Sequence, residues 1–412
     1  MNLPYQIDIQ SLLNKRSFTN HPPPYLYYNS PQLCILSLRH RKDLPMLTEE
    51  QIKKRAHDLH QRAVVIDTHS DLLMPIADGK MRLAQEIRLP EPEGWQAPPG
   101  LIESLGPDFA SFSPHSQYFG TMGQFSLPQF KRGGITVQVC GIYLENKHLQ
   151  RALERGLDMV WWFHKEVEDN PDFEMVTSAA DIRRIKREGK VGGVLALEGL
   201  DALGCEPRYL DLYYKLGLRM ACLTHNRRNM FADGPEPGVK TGGLTSIGRQ
   251  AVKRMEELGI VVDLAHSNLV AYEEVLDMVT KPVVISHRSP RNYFPQKPED
   301  SSYHPAVDVS GGKERLERLA KNGGVLGVLF FSAKTIDDLV AEIEYILDTI
   351  GPDHVGYGAD LYGWDTSPKG LEDVSKYPLL TEALVRRGHS DEVILKILGE
   401  NFMRVFEQVW RK

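Results

Sequence analysis

Eight short apolar runs, rich in β-branched residues, alternate with helix-period segments between residues 63 and 358. In chain order the runs are Ala63–Asp67, Gly134–Leu144, Gly192–Leu197, Met220–Leu223, Gly259–Asp263, Pro282–Ile285, Gly324–Phe330 and His354–Gly358. Most are apolar on both faces, as strands of a buried parallel sheet must be. Leu149–Val167, Arg208–Leu216, Ser246–Leu258 and Ile336–Ile350 carry helical spacing between them. Eight strands alternating with helices predict an α/β fold of the (β/α)8 barrel kind. The competing open doubly wound sheet needs a Gly-rich phosphate turn after its first strand, and Thr68-His69-Ser70 is not one.

Three stretches stand outside the alternation. Residues 1–46, with Pro22-Pro23-Pro24 and Tyr25, Tyr27 and Tyr28, lack sustained periodicity and are expected to be an extended or disordered leader. Residues 47–412 are then a single barrel domain, opening on a helix that Thr48 and Gln51 can cap. Residues 72–130 read as a long excursion between the first strand and its helix, and 291–310 as a second long loop. From Thr381 onward the chain is helical, and Val393, Ile394, Ile397, Leu398, Phe402 and Val405 form a stripe expected to pack on the barrel.

Chemistry-bearing residues sit where these strands end. They are His69 and Asp71 after the first, Glu198 after the third, His225 after the fourth, His266 after the fifth, His287 after the sixth and Asp360 after the eighth. The C-terminal ends of barrel strands are where active sites are built. In a strand, residues i and i+2 face one side, so His69-x-Asp71 can offer an imidazole and a carboxylate to one ion. Each feature alone has a plain structural explanation: a lone buried histidine is usually a satisfied hydrogen-bonding group, and a strand-end carboxylate can face the next helix N-terminus. Suitable side chains at six strand ends favour an open zinc, manganese, iron or cobalt site, and no cysteine joins them as a closed structural zinc site would require. The other histidines, among them His60, His164, His354 and His389, are expected to be structural or on the surface. Trp161-Trp162-Phe163 reads as helix core, and the Arg183–Arg187 basic run as a solvated helix face.

These motifs, with their flanks, resemble the membrane (renal) dipeptidase family over roughly residues 60–410. The resemblance is carried by Ile66-Asp67-Thr68-His69-Ser70-Asp71-Leu72, Leu197-Glu198-Gly199, Leu223-Thr224-His225-Asn226 with Ala232-Asp233-Gly234, and Gly243-Leu244-Thr245-Ser246. It continues through Val262-Asp263-Leu264-Ala265-His266-Ser267, Ile285-Ser286-His287, Gly356-Tyr357-Gly358-Ala359-Asp360 and Gly370-Leu371-Glu372-Asp373-Val374. It implies a zinc-dependent dipeptidase with two Zn2+ ions, in a family some of whose members accept D-residues at the C-terminal side. His69 and Asp71 would bind one zinc, Glu198 would bridge both, and His266 and His287 would hold the second. His225 would contact the oxygen of the tetrahedral intermediate, Asp360 would handle the proton, and a metal-bridging hydroxide would attack the peptide carbonyl. Arg291 in the Arg291-Asn292 pair would grip the substrate carboxylate, with Arg288 as its competitor. The resemblance also favours a homodimer.

Composition bears on the remaining alternatives. With 49 basic and 55 acidic side chains the net charge is −6, which disfavours a nucleic-acid partner. Four cysteines, at 34, 140, 205 and 222, make neither a disulfide framework nor a zinc ribbon, and fit a reducing compartment. No apolar run is long enough to span a membrane, and the secretion and lipid-anchor signals of the animal relatives are missing, so a cytoplasmic protein without a membrane anchor is expected. A metal-dependent amidohydrolase acting on N-acyl amino acids, small amides or lactones is the alternative activity. A catalytically silent binding barrel is the alternative of another class, opposed by the completeness of the ligand set.

Overall fold

The computed structural model describes residues 47–86, 123–235, 242–290, 312–331, 333–363 and 367–411. The expected leader, most of the first excursion and the loop carrying Arg291 lie outside these residues. Among the described residues nine strands run in chain order: β1 Ile66–Asp67, β2 Val137–Tyr143, β3 Phe173–Met175, β4 Val191–Glu198, β5 Leu218–Cys222, β6 Val261–Asp263, β7 Val284–Arg288, β8 Val325–Val328 and β9 Val355–Tyr357. All pair in parallel, and the order β1-β2-β4-β5-β6-β7-β8-β9 follows the sequence, as a barrel requires and an open doubly wound sheet does not. Helices alternate with these strands, so the molecule is a (β/α)8 barrel. All eight expected strands are present, although the first is only two residues long.

β3 was not expected from sequence. It pairs only with β4, at Val191–Gly193, while β5 pairs with β4 farther along at Leu195–Glu198. Phe-Glu-Met has neither an apolar run nor clean alternation, and only Phe173 is fully buried.

The barrel closes where β9 returns to β1. The Thr68 N–H donates to Tyr357 O at 3.3 Å, Asp360 N–H to His69 O at 3.1 Å and Asp71 N–H to Leu361 O at 2.9 Å. The Thr68 hydroxyl meets the carbonyls of Ser286 at 2.6 Å and Tyr357 at 3.0 Å. Gly327 and Gly358 leave room at this crossing, because a Cβ on either would collide with the Ser286 carbonyl.

Inside, Ile66, Val139, Val194, Met220, Val261, Val284 and Val325 join one apolar cluster with Phe402, Val405, Phe406, Val409 and Trp410. The C-terminal stripe therefore packs on the barrel as expected, and the helix Asn401–Val409 closes the end opposite the site. The opening helix Glu49–Arg62 has the anticipated Thr48–Gln51 capping box. His60 on it is buried between Thr381 Oγ1 (2.7 Å) and Gly133 O (2.8 Å), a structural role. His164 and His354 likewise bond backbone carbonyls, and His389 pairs with Glu344. Of the Trp161-Trp162-Phe163 trio, Phe163 is core but Trp161 is 56% exposed, since three consecutive helical residues cannot all face inward.

Candidate active site

The strand ends bring the candidate residues to one mouth. Glu198 is the last residue of β4 and shares the inward side with Val194 and Ala196. His69 and Asp71 follow β1, held by the closing seam. His287 lies within β7, whose register with β8 shifts between Ile285 and Arg288. That irregularity lets adjacent residues Ser286 and His287 both serve the centre, where a regular strand would send them to opposite faces. His266 and Asp360 sit just past their strands with positive φ, 56° and 60°. Non-glycine residues in this region mark turns that the surroundings enforce.

Glu198 Oε1 is the hub. It lies 3.0 Å from His266 Nε2, 3.5 Å from His69 Nε2, 3.7 Å from His287 Nε2 and 4.0 Å from His225 Nε2. His69 Nε2 is also 3.5 Å from Asp360 Oδ1 and 3.9 Å from Asp71 Oδ1. The Nε2 atoms of His266 and His287 are 2.9 Å apart. Their outer nitrogens are occupied: His266 Nδ1 meets Asn226 Oδ1 at 2.9 Å, and His287 Nδ1 meets Ser286 Oγ at 2.8 Å.

The electrostatics follow from burying so many ionisable groups together. Burial works against a proton on His69, but the charges of Glu198, Asp360 and Asp71 outweigh it and push its pKa up to about 10. Burial works against ionisation of Glu198, but His69 and His266 hold its carboxyl well below the usual range. Burial and the Glu198 charge raise Asp71. Burial raises Asp360 to about 7 against the pull of His69, with Glu198 and Asp67 adding repulsion. Burial and neighbouring positive charge lower His266 and His287, and bring His225 down to about 3.

These residues fit divalent metal. His69 Nε2, Asp71 Oδ1 and Glu198 Oε2 are buried with no hydrogen-bond partner, which is costly unless a cation meets them. Two imidazole nitrogens 2.9 Å apart beside a carboxylate make the same demand. Among the described residues, three side-chain groups can hold an ion: His69–Asp71–Glu198, Glu198–His266–His287 and His69–His287–Asp360. Together they contain all five expected ligands and Asp360, and leave out His225. The His225 side chain is 20% exposed against 11% or less for those ligands, and faces the Tyr143 ring at 4.5 Å. Arg291 lies outside the described residues, whereas Arg288 ends β7 and its charge reaches both His266 and His287.

Four residues that support the site were not singled out from sequence: Asp67, Asn226, Asp263 and Ser286. Asp67 Oδ1 accepts N–H bonds from His69 (3.2 Å) and Ala359 (3.0 Å), and Oδ2 accepts the Tyr377 hydroxyl (2.6 Å). Asp263 Oδ1 accepts N–H bonds from Ala265 and Ser286, both at 2.9 Å. The signal was legible as an aspartate ending an apolar strand two or three residues before a ligand histidine, Asp67-x-His69 and Asp263-x-x-His266.

A parallel barrel whose mouth gathers buried imidazoles and carboxylates into ion-binding groups defines a metal-dependent barrel hydrolase. Residues 53–411 match the family described as Membrane dipeptidase (Peptidase family M19). Dipeptidase aclJ of Aspergillus oryzae is 30% identical over 326 residues, covering 73% of this chain and 72% of the relative. An uncharacterised dipeptidase of Schizosaccharomyces pombe, C965.12, is 28% identical over 389 residues, covering 88% and 84%. A Rhodobacter sphaeroides metallopeptidase solved with a phosphinate mimic of the dipeptide L-Ala-D-Ala shares the fold at TM-score 0.67 and 22% identity, covering 84% of this chain and 99% of its own. The chain belongs to the membrane dipeptidase family and is a metal-dependent dipeptidase. Among the described residues, no helix is long and apolar enough to cross a membrane.

Proposed function

We propose that the protein hydrolyses the peptide bond of dipeptides at a centre of two zinc ions. His69 and Asp71 would hold one, His266 and His287 the other, and Glu198 both. The observation that carries this reading is the pair of ion-binding groups joined through Glu198, with its second oxygen and His69 Nε2 left without hydrogen-bond partners. When bound, the metals supply a water acidified towards neutral pH and positive charge for the carbonyl oxygen.

The remaining work falls to side chains of the mouth. His225, kept neutral by burial, can donate one N–H to the oxygen that becomes negative as the carbonyl is attacked. Asp360 takes the proton lost by the attacking water and returns it to the leaving amine. An arginine fixes the free carboxylate by paired hydrogen bonds, which selects short substrates. Arg291 is the proposed residue, and Arg288 is its competitor at the end of β7. A homodimer, which the resemblance favours, is part of the same proposal, and sedimentation of the purified protein tests it.

The direct test is amino-acid release from a panel of L-L and L-D dipeptides by zinc-loaded protein, beside a chelated control. The L-D members are included because a fold neighbour holds an L-Ala-D-Ala mimic. Metal-dependent release is expected. A folded, zinc-loaded protein that releases nothing across the panel would refute the substrate assignment and direct the search to N-acyl amino acids and lactones.

A further inference from the structure

β5 and β6 run in parallel, with Met220 opposite Val261, Ala221 opposite Val262 and Cys222 opposite Asp263. The loops that leave them therefore start level, and Thr224-His225-Asn226 passes beside His266. Each of these three residues holds His266 at a different point. The Thr224 hydroxyl donates to its backbone carbonyl at 2.9 Å. The His225 ring lies 4.3 Å from its ring, tilted by 38°. Asn226 Oδ1 lies 2.9 Å from its Nδ1.

The last contact settles which ring nitrogen carries hydrogen. An amide oxygen only accepts, so Nδ1 is the donor. A neutral imidazole has one N–H, and with it on Nδ1 the other nitrogen, Nε2, is bare. Nε2 is the atom that lies 3.0 Å from Glu198 Oε1 and 2.9 Å from His287 Nε2, inside an ion-binding group. Before a cation arrives, the Glu198 carboxylate can hold a second hydrogen on Nε2. That ring is an imidazolium whose Nδ1 keeps its own hydrogen, so the hydrogen a cation displaces is the one on Nε2. The opposite tautomer, with hydrogen on Nε2 alone, would set the Nδ1 lone pair against those of the amide oxygen.

We propose that Asn226 is a positioning residue that keeps hydrogen on His266 Nδ1, so that Nε2 is the nitrogen offered to metal. The proposal rests on the reading of His266 as a metal ligand. It assigns a function to a residue that need touch neither substrate nor metal. A hydrogen bond at the outer nitrogen also raises the basicity of the inner one. One turn thus carries both the histidine proposed to meet the carbonyl oxygen and the amide that orients a ligand.

The test pairs zinc binding with a direct view of the ring. Asn226 is exposed, so replacing it leaves the core intact. Zinc affinity is measured by chelator competition for wild type, Asn226→Ala, Asn226→Asp and His266→Gln. His266→Gln is expected to lose one zinc per chain, and full zinc content there would overturn the ligand reading itself. With that established, Asn226→Ala is expected to bind one zinc roughly 10–100-fold more weakly, and Asn226→Asp, which keeps an accepting oxygen, to recover most of the loss. Unchanged affinity in Asn226→Ala would overturn the positioning role, as would a loss that the aspartate does not repair. The independent readout uses metal-free protein with ring-15N histidine at about pH 8, above the ordinary imidazole pKa of about 6.5. The His266 signals, assigned by their absence in His266→Gln, are expected to show hydrogen on Nδ1 in wild type and to lose that preference in Asn226→Ala. An Nδ1 without hydrogen in wild type, or the same Nδ1 hydrogen in the alanine variant, would overturn the proposal.

Discussion

Asp360→Asn separates the two roles that the geometry permits for this carboxylate. Asp360 Oδ1 is 3.5 Å from His69 Nε2, and the residue completes an ion-binding group with His69 and His287, so it could be a ligand as well as a proton carrier. Asparagine is the right perturbation because the residue has φ 60°, a conformation that Asp and Asn tolerate better than other side chains. It keeps the shape and the Asp360 N–H bond to His69 O, and removes only the proton-accepting charge. Loss of a positioned general base and acid costs ~100–10,000-fold in rate, or ~2.7–5.4 kcal/mol in the barrier. The charge removed is one that burial and the Glu198 and Asp67 carboxylates oppose, so the metal-free variant should melt above metal-free wild type. The assays are kcat on the best dipeptide of the panel, zinc content by mass spectrometry, and melting of the chelated proteins. The expected result is normal zinc, a kcat lower by at least ~100-fold and a raised metal-free Tm. Turnover within about tenfold of wild type would refute the proton-carrier role, and loss of a zinc would make Asp360 a ligand.

Glu198→Gln removes the charge shared by four imidazoles and should weaken zinc binding beyond the ~100-fold ceiling typical of supporting residues; retention of both ions at wild-type affinity would contradict the bridging assignment. For His60, burial lowers the pKa, so between its folded and unfolded values the unfolded chain binds more protons and stability falls as pH drops below about 6.5. His60→Gln lacks that slope of at most ~1.4 kcal/mol per pH unit. Urea titrations should therefore show the variant less stable near pH 8 by about 1–3 kcal/mol, for two lost hydrogen bonds, with the gap narrowing towards pH 5. A constant gap would count against the burial argument. Phe402→Ala should cost about 3–5 kcal/mol, because the ring is fully buried under the barrel against Gly356, and a cost below about 1 kcal/mol would mean that the helix Asn401–Val409 does not seal the core.

The fold was legible because parallel strands buried on both faces must be continuous apolar runs, and eight of them stand out from the helices between. β3 was not, because its pairing depends on the edge that β4 exposes below β5, a tertiary circumstance with no local pattern. At the site, His69, Asp71, Glu198, His225, His266, His287 and Asp360 could be named because each ends or follows a strand, and the barrel sends those ends to one place. The sorting among them was less legible. Composition cannot say that His225 stays out of the ion-binding groups while Asp360 falls within one; that depends on side-chain directions at bulges and positive-φ turns. Asp67 and Asp263 were passed over as parts of strands, although each ends its run with a charge no strand interior would keep without partners.

Those two aspartates explain how the turns hold their shape. His266 and Asp360 are both in the left-handed region, at about 1–3 kcal/mol each. Each follows an alanine whose N–H a buried aspartate accepts: Ala265 to Asp263 at 2.9 Å, and Ala359 to Asp67 at 3.0 Å. Each aspartate oxygen takes a second N–H from a neighbouring strand end or turn that bears another site residue, Ser286 beside His287 in one case and His69 in the other. Hydrogen bonds to a charged acceptor contribute about 1.5–3 kcal/mol apiece, so two of them exceed the cost of one left-handed residue. The same device is thus used twice, once under His266 and His287 and once under His69 and Asp360. It ties the strand ends in pairs and so helps to place the side chains of the mouth.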